Sequence, residues 1–129
     1  MKVNGFHHIG LLVTDMEKSL KFYRDDLGGK VVCEFPAGGD GSKMIYMVDM
    51  GENSVIELIP TGTGKPESEA HWAHVALLSD DAKAAYEFAL SVGAKTQSAP
   101  KEVHLGDMHM CIAFVFGPDN EVVEFFQPL

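Results

Sequence analysis

Apolar and polar positions alternate along the chain in short runs rich in Val, Ile and Phe. This period-two pattern predicts strands near 6–13, 30–35, 43–50, 54–60, 72–79, 108–116 and 121–127, with a weaker run near 94–98 as an eighth. Two stretches carry a helical period instead. In "DMEKSLKFYRDDLGG" the positions Met16, Leu20, Phe22, Tyr23 and Leu27 form one apolar stripe, and "DDAKAAYEFALSVGA" repeats the design. Each opens on an aspartate placed to cap the first turn and closes at glycine. "TGTGKPESE", Thr61–Glu69, is the linker-like piece, and it divides the chain almost in half.

The two halves repeat each other. An offset of 66 sets His74 over His8, Leu77 over Leu11, Leu78 over Leu12, Asp81 over Asp15 and Phe88 over Phe22. Near the end of each half "NSVIEL" overlays "NEVVEF", which sets Glu124 over Glu57 at an offset of 67. Strand, helix and three strands, occurring twice, predict a duplicated βαβββ module, with module 1 at 1–62 and module 2 at 70–129 of a single domain.

Four polar residues interrupt apolar strand faces at repeat-equivalent positions. Period two places His8 with Phe6, Gly10 and Leu12; His74 with Trp72, Ala76 and Leu78; Glu57 with Val55 and Ile59; and Glu124 with Val122 and Phe126. A carboxylate among such neighbours costs heavily to desolvate unless it gains a partner. Taken singly, each histidine is a half-exposed strand residue and each glutamate the wet side of a two-faced strand. Taken together, two neutral imidazoles and two ionised carboxylates compensate one another around one divalent cation, so His8, Glu57, His74 and Glu124 are the candidate metal ligands. His7, on the face opposite His8, is expected to be structural.

Leu12, Trp72 and Phe126 share those faces and are candidate substrate-lining residues, although Trp72 would equally fill core. "HLGDMHM" brings His104, Asp107 and His109 close in sequence. That spacing could make a second metal site, but a loop entering a strand accounts for it more simply, and His109 is kept as a candidate cavity-lining proton carrier. "GGDGSK" lacks the spacing of a phosphate-binding loop and reads as a hairpin turn.

Composition narrows the function classes. The 129 residues are one domain's worth, and 46% apolar content suffices for a core. A net charge of −9, with Arg24 the only arginine, excludes the electrostatic footprint of a nucleic-acid or anionic-membrane binder. The apolar runs are too short to span a bilayer, and the N-terminus lacks a signal-peptide core. Cys33 and Cys111 lie inside strand-like runs without CxxC spacing, as buried thiols of a reducing compartment do, so a cytoplasmic location is expected.

From "HHIGLLVTDMEKSLKFYRDDLG" through "VIEL" and "HVAL" to "FGPDNEVVEFF", nearly the whole chain resembles the vicinal oxygen chelate superfamily, and within it the glyoxalase I (lactoylglutathione lyase) kind. The family's His, Glu, His, Glu pattern is matched by His8, Glu57, His74 and Glu124. The resemblance implies an α+β fold whose two tandem βαβββ modules form a half-open mixed-sheet cup. It implies one divalent metal ion per chain, nickel or cobalt ahead of zinc or manganese, since the short, insertion-free chain resembles the nickel-activated bacterial forms. It also implies a homodimer acting on a small molecule: the hemithioacetal of methylglyoxal and a thiol becomes a hydroxyacyl thioester through an enediolate, a methylglyoxal detoxification. Glu124 is then the principal base, and Glu57 serves the opposite stereochemical form. Relatives that use glutathione carry an arginine and an asparagine where this chain has Leu12 and the "IPTGTG" run, so the resemblance reaches the metal ligands and not the glutathione positions. An epimerase resembling those of methylmalonyl-coenzyme A, or a small-molecule-binding protein of the same fold, is the alternative; epimerases of that kind usually carry glutamine in the place of Glu57.

Overall fold

A computed structural model of the chain describes residues 1–61, 72–117 and 122–129. Most of the linker-like segment and the start of the last expected strand lie outside the described residues. The elements follow the order β1 (Val3–Val13), α1 (Met16–Leu20), β2 (Lys30–Pro36), β3 (Met44–Asp49), β4 (Val55–Pro60), β5 (Trp72–Ser79), α2 (Ala82–Ser91), β6 (Lys95–Leu105), β7 (Met108–Phe116) and β8 (Val122–Pro128). This is the α+β pattern of two βαβββ modules. By compactness the chain divides into His8–Ala73 and a second unit made of Met1–His7 with His74–Leu129. Met1–His7 therefore groups with the second module rather than the first. Asp80 accepts from the Lys2 amide at 2.6 Å, and the His7 ring stacks on Phe126 at a centroid distance of 3.7 Å. The stack gives His7 the structural role expected of it.

Within the first module the strands run in the order β2-β3-β4-β1, with β1 parallel to β4 and the other neighbours antiparallel. The second module repeats this as β6-β7-β8-β5, again with its first and last strands parallel. Even the register is duplicated: Leu58 pairs with Tyr46 as Phe125 pairs with Ala113, 67 positions on in both strands. Each sheet turns one face to its helix. In the first module Val13, Leu20, Val48 and Leu58 are buried there, joined by Leu11, Met16, Tyr23 and Ile56. The second module's helix face buries Ala82, Ala85, Val115 and Phe125. Among the described residues no helix is long and apolar enough to cross a membrane.

The caps behave as the sequence predicts. Asp15 accepts from the Lys18 amide at 3.1 Å and Asp81 from the Ala84 amide at 2.9 Å. Past α1, however, the expected α-helix widens into a π-helical stretch, Lys21–Asp26, in which the Leu27 amide donates to Phe22 O, five residues back. The wider turn rotates later residues off the expected stripe. Leu27 accordingly ends 55% exposed, whereas Phe22, 50% exposed, stands off the apolar face of even a regular α-helix, and Met16, Leu20 and Tyr23 reach the core.

Gly29 closes this stretch because nothing larger fits. A Cβ there would lie 2.7 Å from Tyr23 O, 2.7 Å from Val48 Cγ1 and 2.8 Å from Met50 Sδ. Gly29→Ala is expected to destabilise the fold by about 1–3 kcal/mol through overpacking, read as a lowered midpoint in urea.

"GGDGSK" forms the expected β2–β3 turn, with the Ala37 amide donating to Lys43 O at 2.8 Å. Cys33 is a buried thiol. Cys111 is only partly buried, and its thiol is pushed up from the usual range by burial first and then by the Glu102 and Asp81 carboxylates.

Candidate metal centre

The four candidate ligands sit on the sheet faces turned away from the helices, and each module brings its own histidine and glutamate together. In the first, parallel pairing sets His8 beside Val55 and Gly10 beside Glu57. Glu57 Oε1 stands 3.7 Å from His8 Nε2, with the two side chains 12% and 2% exposed. In the second, Ala76 pairs with Glu124. Glu124 Oε2 stands 3.2 Å from His74 Nε2, with exposures of 5% and 12%. Phe114 meets the His74 ring edge-on at 5.9 Å.

Register explains how each carboxylate reaches its imidazole. Glu57 is flanked across the ladder by Gly10 and Met47, and Glu124 by Ala76 and Phe114. A glycine or alanine stands directly beside each glutamate on the strand that carries the histidine two residues earlier. With no bulk at that position, the carboxylate can lean along the face to the ring. Ala76 is fully buried, so the space is closed to anything larger. Gly10 and Ala76 are the supporting residues that face patterning alone misses. Their signal was present as a small residue two positions after each histidine.

The donor set fits a divalent cation. Two ligands at about 2.1 Å from one ion and 90–120° apart stand roughly 3.0–3.6 Å from each other, close to both observed His–Glu separations. Burying an imidazole and a carboxylate side by side in apolar surroundings is costly without further compensation, which a cation supplies. Each module's pair, His8 with Glu57 and His74 with Glu124, offers one imidazole and one carboxylate to such an ion.

The substrate-lining candidates divide. Leu12 lies on the His8 face, paired with Ile59. Phe126 is buried on the Glu124 face among Ala76, Met110 and Ile112, under the His7 ring. Trp72 is 57% exposed and fills no core. His109 is not brought to the Glu124 face at all. Strand alternation sends Met110, Ile112 and Phe114 one way and His109 with Cys111 the other, where His109 pairs with Glu102. Nor is every cavity at the chemistry: one of about 530 Å³ in the first module is lined by Val13, Met16, Leu20 and Tyr46, on the helix side.

Comparison with known proteins gives the architecture a family. The model of the Glyoxalase/Bleomycin resistance protein/Dioxygenase superfamily matches residues 5–125. The chain belongs to that superfamily. Among individual proteins, Bacillus subtilis YwbC is 30% identical over 121 residues, covering 93% of this chain and 94% of its own. A Synechocystis protein named probable lactoylglutathione lyase is 31% identical over 123 residues, covering 93% and 92%. The crystal structure of methylmalonyl-CoA epimerase from Mycobacterium tuberculosis superposes with a TM-score of 0.75 at 20% identity, over 98% of this chain and 89% of that one, which is a likeness of fold.

Proposed function

We propose that this glyoxalase-superfamily protein is a metal-dependent lyase of the glyoxalase I kind, converting the hemithioacetal of methylglyoxal and a thiol into a hydroxyacyl thioester. The observation that carries the proposal is the duplicated His–Glu pair, with one member buried and the other nearly so, at equivalent positions of the two modules. His8, Glu57, His74 and Glu124 would hold one divalent ion, with nickel or cobalt favoured and zinc or manganese acceptable to the same donors. When bound, the ion supplies Lewis acidity to the two neighbouring oxygens of the substrate. The chain's own residues do the rest. Glu124, nearly buried, takes the proton from the hydroxyl-bearing carbon and returns it to the adjacent one, so the reaction is an internal isomerisation with no net oxidation. Glu57 does the same for the opposite stereoisomer. His8 and His74 hold their carboxylates in place, and Leu12 and Phe126 keep the faces dry. The relative named as a probable lactoylglutathione lyase supports this reading, and a glutamate rather than a glutamine at position 57 favours it over an epimerase.

We propose further that it works as a cytoplasmic homodimer, since the outer strands β2 and β6 of the two modules' sheets carry edges that a second copy can cover.

The test is turnover by metal-reconstituted protein given methylglyoxal with a panel of thiols, beside a coenzyme A thioester epimerisation assay and sedimentation at micromolar concentration. Hydroxyacyl thioester should form with at least one thiol, and the species should sediment as a dimer. Epimerisation without lyase activity would replace the reaction. A His74→Ala protein that binds as many divalent ions as the wild type would remove the proposed centre.

A further inference from the structure

A second set of metal-ligating side chains is assembled entirely within the second module. The β6–β7 hairpin turns through Gly106 and Asp107, and its pairing sets His104 opposite His109 and Glu102 opposite Cys111. Alternation puts Glu102, His104 and His109 on one face. The two imidazole rings stack with centroids 4.0 Å apart and planes 9° from parallel. Glu102 Oε1 lies 2.5 Å from His109 Nε2. One ligand atom from each of the three residues lies within 4.8 Å of the other two. The hairpin pairs belong to the face opposite Met110 and Phe114, and hence opposite Glu124.

We propose that Glu102, His104 and His109 form a second divalent-metal site, of the class that takes zinc, nickel or copper. Two imidazoles and a carboxylate are the donors such ions prefer, and three protein ligands leave positions for water. Donors bound to a common ion at about 2.1 Å stand no more than about 4.2 Å apart, so the trio has to close only slightly. The closure is a rotamer adjustment, cheap because His109 and Glu102 are 37% and 64% exposed and meet little packing resistance. The antiparallel ladder meanwhile fixes the three Cα positions before any ion arrives. A surface His–Glu pair is by itself worth little to stability, so the grouping of three donors on a rigid hairpin is not explained by folding. The chain's charge of −9 favours cation approach. The site is separate from the buried His–Glu pairs and does not depend on the reaction proposed above.

Equilibrium dialysis of the metal-stripped full chain against Zn²⁺ and against Ni²⁺, with elemental analysis, reads the stoichiometry. His104→Ala should bind one ion fewer than the wild type, and His74→Ala should keep the ion that His104→Ala loses. Glu102→Gln should weaken that ion at least about 10- to 100-fold, since losing even a carboxylate that only supports a ligating imidazole costs that much. In ¹H–¹⁵N spectra of the wild type the His104 and His109 ring signals should shift on metal addition. Equal stoichiometry in wild type and His104→Ala, or ring signals unmoved at saturating metal, overturns the proposal.

Discussion

Glu124→Gln is expected to leave the protein folded and metal-loaded while turnover falls roughly 10²- to 10⁴-fold, the usual cost of removing a general base. Glutamine keeps the size of the side chain and one oxygen donor, so the 4%-exposed position refills without a cavity. What it cannot do is accept a proton from carbon. His74→Ala should fail differently, losing the ion first and activity as a consequence, so that excess metal restores part of the rate. Occupancy measured in the same samples separates the two behaviours. If Glu124→Gln stays metal-loaded and fully active on the true substrate, the base is Glu57.

The repeat was legible in the sequence because burial punishes a carboxylate on an apolar strand face, so Glu57 and Glu124 stood out against Val, Ile and Phe, and two equivalent histidines gave them a reason. The same periodicity located β1, β2, β3, β4, β5, β7 and β8 to within a few residues, and local capping chemistry at Asp15 and Asp81 located both helix starts. Elsewhere the signal was weaker than the structure. β6 runs for eleven residues, Lys95–Leu105, where only 94–98 read as strand. Pro100 and the polar residues around it hid the rest, and the irregular pairing between Thr96 and Lys101 shows how an end strand absorbs a proline. The π-helical turn after Leu20 has no signature in side-chain periodicity, so the pattern puts Leu27 on a stripe that it leaves, while Phe22 stands off that stripe at the ordinary helical period. Proximity in sequence alone makes His109 a candidate for the cavity. Its face depends on the register of β7, which only the ladder fixes. The partnership of Glu102 with it was invisible for the same reason, since Glu102 lies in the part of β6 that did not read as a strand.

Ala76→Leu is expected to cost about 1–3 kcal/mol of stability and, separately, to weaken turnover about 10²-fold. Ala76 is fully buried beside Glu124 on the ladder, and its methyl group is the largest side chain that leaves the carboxylate room to lean 3.2 Å from His74 Nε2. Leucine adds three carbons there. They can be accommodated only by pushing Met110, Ile112 or Phe126, its neighbours in the same buried cluster, or by displacing Glu124 itself. The first route lowers the urea midpoint. The second also breaks the alignment of base and imidazole, and a displacement of about 1 Å at a reacting group is enough for a loss of that size. Leu58→Ala supplies the comparison. Leu58 is equally buried but faces the helix, so its truncation should cost about 2–5 kcal/mol while leaving the rate per folded molecule near that of the wild type. Unfolding midpoints and rates measured on both variants at a temperature where each is fully folded distinguish stability from geometry. An Ala76→Leu protein that is destabilised yet turns over normally would show that the small residue beside each glutamate serves packing alone.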